Sequence, residues 1–131
     1  MKYIYAIQHN QTKRIYVGCT KNITNRYIQH MQNLKSGRHA SEEIQHDFDE
    51  FGEDFSVFLL EEIDKPSVLV EAENGRLIRA DRKAEFDWMK KYKTIYEGYN
   101  RQDGRAKKYI ENDYSYPIEI TLKQGLPDVN N

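Results

Sequence analysis

Cysteine is nearly missing from this chain, with Cys19 alone among 131 residues. A single thiol excludes an internal disulfide framework and any zinc site built from paired cysteines. No apolar run is long enough to span a bilayer, and the start at Lys2 lacks the extended apolar stretch of a secretory signal. A reducing, cytoplasmic setting with no membrane partner is therefore the expectation. Neither an internal repeat nor a low-complexity tract stands out, so one small domain with one core is expected at this length. Also missing are a glycine-rich phosphate loop and a Ser, His, Asp ordering, which removes nucleotide cradles and serine hydrolases from the functional classes to consider.

Negative charge is absent from the first third. Before Glu42 the chain carries Lys2, Lys13, Arg14, Lys21, Arg26, Lys35 and Arg38 and no Asp or Glu, although the net charge of the whole is only −1. From Glu42 to Asp87 the acidic residues outnumber the basic ones. A polyanion would thus meet the amino-terminal third, and the acidic middle would supply carboxylates for a metal or a solvated far face.

What is present begins with tyrosine. Alternation puts Tyr3, Tyr5 and Ile7 on one side of a first strand, and a turn-prone stretch from His9 to Lys13 returns the chain into a second strand from Arg14 to Thr20. Tyr5 and Tyr16 can then face each other across a hairpin. Asn22 suits an N-cap, and Ile23, Tyr27, Met31 and Leu34 recur at helical spacing until Gly37, with Arg26 and His30 together on one face. Cys19, directly after the second strand motif, reads as a small buried residue, not a nucleophile.

Further on, Ser41-Glu42-Glu43 reads as the cap and first turn of a second helix ending at Gly52. The nearly continuous apolar run Phe55 to Leu60 predicts a third strand over 54–63, covered on both faces as a central strand would be. Pro66 is expected to open a helical region through Val68, Leu69, Ala72 and Leu77 that Asn74-Gly75 interrupts, and another helix is expected from Lys83 to Tyr92. The predicted fold class is α/β (α+β): a small three-stranded antiparallel sheet flanked by helices.

Taken in order, these segments resemble the GIY-YIG nuclease family. Tyr3-Ile4-Tyr5 stands in its first motif, Tyr16-Val17-Gly18 in its second, and Lys21 to Arg26 with His30 is similar to the helix that follows. The likeness continues through Gly37-Arg38-His39, the Phe48 to Phe55 stretch, Glu85-Phe86-Asp87-Trp88-Met89-Lys90-Lys91-Tyr92 and Gly98-Tyr99-Asn100, covering residues 1–100. The first motif opens with Tyr3 where the family has glycine. The stretch before Glu85 is longer than the family's, which makes Glu71 and Glu73 rival metal ligands; Glu85 is preferred because an aromatic, amphipathic helix follows it.

The resemblance implies a DNA endonuclease that cuts phosphodiester bonds with one divalent cation, Mg²⁺ or Mn²⁺, held by Glu85. Arg26 would stabilise charge on the phosphate, and Tyr5 or Tyr16 would deprotonate the attacking water. The sequence does not rank the two phenols; Tyr16 is taken as the base, with Tyr5 sharing the proton, His30 accepting or relaying it, and Asn100 hydrogen-bonding within the site. Lys13, Arg14, Lys21, Lys35, Arg38 and His39 are the candidate nucleic-acid contacts. Restriction, repair, and a phage or mobile element are all compatible settings, and the chain is expected to act as a monomer or a homodimer. An inactive nucleic-acid-binding module and a protein-interaction domain are the alternatives on the same fold. Residues 101–131 lie outside the likeness, as an extension with a basic stretch (Arg101, Arg105, Lys107, Lys108) and an alternating Ile118, Ile120, Leu122 segment, expected to pack on the same domain.

Overall fold

The first strand is the spine of the molecule. In the computed structural model, which describes residues 1–72 and 75–113, Ile4, Tyr5, Ala6 and Ile7 of β1 (Lys2–His9) are all buried. Successive side chains of a strand point to opposite faces, so a run of four buried residues requires cover on both. It also requires neighbours on both edges. They are β2 (Ile15–Thr20) and β3 (Phe55–Ile63), giving an antiparallel sheet in the order β2-β1-β3.

Two helical layers supply the cover. On one face, α1 (Ile23–Lys35) and α2 (Glu42–Phe51) contribute Met31, Leu34 and Ile44 to a cluster with Tyr99, against which Tyr16, Tyr27, Phe48 and Phe55 pack. On the other, α3 (Ala80–Tyr92) sets Phe86 and Met89 against Ile4, Val17 and Ile63. The short α4 (Gly104–Lys108) and a π-helical turn (Tyr109–Asp113) extend that second cluster through Ala106 and Tyr109. Each fully buried aliphatic residue of this kind contributes roughly 1.5–3 kcal/mol.

The helix starts follow local chemistry. Asn22 accepts a hydrogen bond from the Asn25 amide at 3.0 Å to begin α1, and Ser41 accepts one from Ile44 at 3.4 Å to begin α2. Gly52, at φ +86°, ends α2 in a backbone conformation that a side chain would oppose.

Three expectations are corrected. The apolar run of β3 is an edge strand, with Phe58 and Leu59 about half exposed, while β1 takes the central place. Among the described residues from Pro66 to Arg79 there is no helix. Instead β4 (Leu69–Glu71) and β5 (Leu77–Arg79) form a two-stranded hairpin, because Leu69-Val70 and Leu77-Ile78 favour extended backbone and Gly75, at φ +85°, turns the chain. Finally, α3 begins at Ala80, not Lys83, so Glu85 lies beyond the first helical turn. The buried Asp81 anchors that start through Lys2 and Arg79, each at 3.0 Å. Among the described residues no helix is long and apolar enough to cross a membrane. Glu73 and the Ile118 to Leu122 segment lie outside the described residues.

Candidate active site

Tyr5 pairs with Gly18 across the hairpin and Ile7 pairs with Tyr16, so both phenols project from the α1 face of the sheet. Their ring centroids are 6.3 Å apart. Gly18 is what lets Tyr5 lie flat over β2, since a Cβ there would sit 2.5 Å from the ring's Cζ. The glycine of the second motif is thus a packing requirement of the first motif's tyrosine.

His30 from α1 completes the cluster. It is buried, its ring meets Tyr16 edge-on with centroids 4.9 Å apart, and its Nε2 is 2.8 Å from Tyr5 Oη. Its other nitrogen, Nδ1, is 2.7 Å from Nε2 of His39, whose Nδ1 in turn accepts the Ser41 backbone amide at 2.9 Å. His39, from the loop joining α1 and α2, therefore joins the site by way of His30.

Arg26 lies one turn before His30 and is exposed. Its guanidinium has no hydrogen-bond or ion-pair partner among the described residues, yet its charge lowers the ionisation ranges of Tyr5, Tyr16 and His30 alike. From the opposite layer, Glu85 acts on both phenols in the reverse sense. Both charges thus act on the same pair of phenols. Glu71, on the β4–β5 hairpin, is exposed.

Burial dominates the electrostatics. It raises Tyr5 well above the ordinary phenol range and raises Tyr16 as well, in each case against the pull of Arg26. For Tyr16 a hydrogen bond from Tyr5 opposes the rise as well. Burial, the His39 ring and Arg26 together hold His30 down to about 3. Burial pushes the Glu85 carboxyl up to about 7, helped by Asp103 and Asp81 against Arg82 and Lys2. It raises Cys19 to about 11, which keeps that thiol from acting as a nucleophile at neutral pH.

Glu85 also has no hydrogen-bond or ion-pair partner among the described residues, and no group of three or more His, Cys, Asp or Glu side chains is arranged around an ion there. A lone, half-buried carboxylate beside two phenols fits a hard cation that keeps most of its own waters and takes phosphate oxygens as further ligands.

Asn100 is bonded to the strand backbone next to Tyr16. Its Oδ1 accepts from Val17 N at 2.9 Å and its Nδ2 donates to Val17 O at 3.1 Å, so both ends of the amide hold the open edge of β2 beside Tyr16. Tyr99 N adds a bond to Ile15 O at 2.9 Å, and Gly98 permits the approach, since a Cβ there would lie 2.5 Å from the same oxygen. Two residues were not foreseen. Asp47, buried on α2, accepts from Tyr99 Oη at 2.6 Å and pairs with Arg14 at 3.4 Å; Asp103 caps α4 through Ala106 at 3.0 Å and acts electrically on Tyr16 and Glu85. No sequence spacing marked either one.

The candidate nucleic-acid contacts separate into two groups. Lys13, at the β1–β2 turn, and Lys21 and Arg38, at either end of α1, are exposed and form no ion pair among the described residues. Arg14 is held by Asp47, and Lys35 is 3.4 Å from Glu53.

The sequence model described as the GIY-YIG catalytic domain matches residues 1–100. Intron-associated endonuclease 1 of Enterobacteria phage T4 is 30% identical over 101 residues, covering 76% of this chain and 36% of that protein, so the present chain corresponds to about a third of its relative's length. The solved catalytic domain of homing endonuclease I-TevI superposes with a TM-score of 0.61 at 26% identity, covering 76% of this chain and 96% of that one. A mutant of the same catalytic domain, with a glutamate replaced by alanine, gives 0.57 at 25% identity over 77% and 94%. With matching motifs, a matching sheet and a matching order of helices, this chain belongs to the GIY-YIG nuclease family and carries its catalytic domain in residues 1–100.

Proposed function

We propose that this chain is a metal-dependent DNA endonuclease that hydrolyses phosphodiester bonds with a water activated by tyrosine. The observation that carries the reading is a buried and a half-buried phenol, on β1 and β2, under the electrical influence of a guanidinium on α1 and a carboxylate on α3 that have no hydrogen-bond or ion-pair partner among the described residues. A half-buried carboxylate without a partner is the less usual of the two. Arg26 and Glu85 are placed as groups that wait for a ligand.

In this reading Arg26 takes the non-bridging phosphate oxygens, which its planar fork matches while staying charged throughout. Tyr16, having first lost its own proton to solvent, receives the proton of the attacking water. A phenol this buried resists ionisation, and the groups of the chain that favour its anion are Arg26 and the hydroxyl of Tyr5. Mg²⁺ or Mn²⁺ bound at Glu85 would supply charge neutralisation at the leaving oxygen. Lys13, Lys21 and Arg38 would contact backbone phosphates, which orients the duplex without reading its sequence. Because its relatives are an intron-associated endonuclease of a phage and a homing endonuclease, a phage or mobile-element setting is the proposed context.

The test is incubation with supercoiled plasmid and with single-stranded DNA, in Mg²⁺ or Mn²⁺ and in chelator. Cleavage that needs the cation and disappears in Arg26→Ala and Glu85→Ala supports the proposal. Salt-sensitive DNA binding with no nicking in either metal would replace it with the inactive binding module.

A further inference from the structure

The contacts of His39 settle a question that the distances alone leave open, namely which way the protons point in the chain from Ser41 to Tyr5. Burial lowers both imidazoles, so each is neutral at pH 7 and carries one ring proton. The Ser41 backbone N–H can only donate, and it reaches His39 Nδ1 at 2.9 Å. That nitrogen must therefore be the bare one, which leaves the proton of His39 on Nε2. At 2.7 Å from His39 Nε2, His30 Nδ1 must then accept, and the proton of His30 lies on Nε2. At 2.8 Å from His30 Nε2, the oxygen of Tyr5 receives that proton as an acceptor.

Reversing any link sets two donors or two bare acceptors against each other. Were His30 to accept from Tyr5, it would carry its proton on Nδ1, His39 would have to present a bare Nε2, and the N–H at His39 Nδ1 would face the Ser41 N–H. Exchanging nitrogen and carbon positions by flipping the His39 ring does not help. It would put carbon atoms at both contacts and forfeit both bonds.

We propose that the Ser41 backbone amide, acting through His39, locks His30 as a hydrogen-bond donor to Tyr5, so that His30 and His39 are positioning residues which aim the Tyr5 hydroxyl proton at Tyr16. With its oxygen occupied by His30, Tyr5 has its own O–H free for the neighbouring phenol, whose ring lies 6.3 Å away on the same face. Every hydrogen bond in the chain from Ser41 then runs toward the oxygen of Tyr5. This singles out Tyr16 over Tyr5 as the base, and it removes His30 as an acceptor of the reaction's proton. The assignment of the base rests on the nuclease reading of the site, whereas the direction of the hydrogen bonds does not.

Long-range ¹⁵N–¹H correlation spectra of the uniformly ¹⁵N-labelled, DNA-free chain at pH 7 read the tautomers directly. Both His30 and His39 are expected as Nε2–H, with Nδ1 unprotonated. A cationic ring or an Nδ1–H form at either position overturns the proposal, even if the protein cuts DNA. Conversely, the expected tautomers in a protein that cuts nothing would uphold the lock and reject the nuclease reading. Two substitutions separate positioning from mere packing. His39→Glu offers only acceptors, so His30 should move its proton to Nδ1 or become cationic, and cleavage should fall at least about tenfold. His39→Gln restores a donor toward His30, so His30 should return to Nε2–H and cleavage should recover above the level of His39→Glu. If His30 stays Nε2–H in His39→Glu, or cleavage ranks the two variants the other way, the lock does not position Tyr5.

Discussion

Neither Arg26 nor Glu85 makes a side-chain hydrogen bond or ion pair among the described residues. The consequences of removing them differ, because Arg26 is exposed whereas Glu85 is half-buried. Arg26→Ala takes nothing from the fold, so its stability should stay within about 0.5 kcal/mol of the parent, while cleavage drops by roughly 10²–10³-fold with the loss of phosphate charge stabilisation. Thermal melting and a plasmid nicking assay check the two halves. Glu85 carries a raised ionisation range, about 7 against an ordinary 4.5. Between these values the unfolded chain has released its proton and the folded one has kept it, so stability declines as pH rises through that window. Glu85→Gln should lack the decline, melting higher than the parent at pH 8 without metal. Titrating Mn²⁺ should raise the melting temperature of the parent and leave that of Glu85→Gln unmoved, because binding to the native state alone is what stabilises.

The same reasoning extends from side chains to the elements that hold them. Tyr5 can lie against β2 only because Gly18 opposite has no Cβ. Gly18→Ala should therefore displace the ring and lower stability by about 1–3 kcal/mol, with cleavage suffering beyond the loss of fold because Tyr5 and His30 part company. Melting curves together with the Tyr5–His30 tautomer signals distinguish the two effects. The hairpin carrying Tyr5 and Tyr16 was legible in the sequence, since the turn joining its strands is short and local, but the register that sets Gly18 opposite Tyr5 was not. The helix caps at Asn22 and Ser41 were legible for the same reason, being local. What the sequence concealed was long-range. The Phe55 to Leu60 run looks central, but its place at an edge depends on which strand β1 recruits on each side. Leu69-Val70 and Leu77-Ile78 fit a helical spacing as well as a hairpin, and only the pairing of Glu71 with Leu77 decides for the hairpin. Asn100 was visible as a polar residue after a glycine and an aromatic, yet its grip on Val17 spans 83 positions and leaves no local mark.

At the scale of the whole molecule, buried polar groups tie the helical layer to the sheet, and acid should release them in sequence. His30 is held down to about 3 against an ordinary 6.5. Below pH 6.5 the unfolded chain takes up a proton that the folded chain refuses, so this group withdraws stability progressively from about pH 6.5 toward pH 3. Asp47 behaves differently. Burial pushes its carboxyl up, but hydrogen bonds from Tyr99, His46 and Thr12 and the charge of Arg14 outweigh burial and leave it below its usual 3.8. Its contribution is complete above that value and is lost only as pH falls further, when a folded carboxylate must finally be protonated. Through Tyr99, Arg14 and Asn100 the same network joins α2, the β1–β2 turn and the open edge of β2, so its loss should loosen the site as well as the core. Asp47→Asn is expected to melt lower than the parent at pH 7, by about 1–3 kcal/mol in stability, since Tyr99 and Arg14 lose a charged acceptor. It should also show a shallower decline below pH 4, while keeping the decline between pH 6.5 and 4 that belongs to His30. His30→Gln should show the opposite pattern. Melting temperatures of the three proteins across pH 3 to 8 check it, and parallel curves for the parent and both variants would mean that neither group links folding to protons.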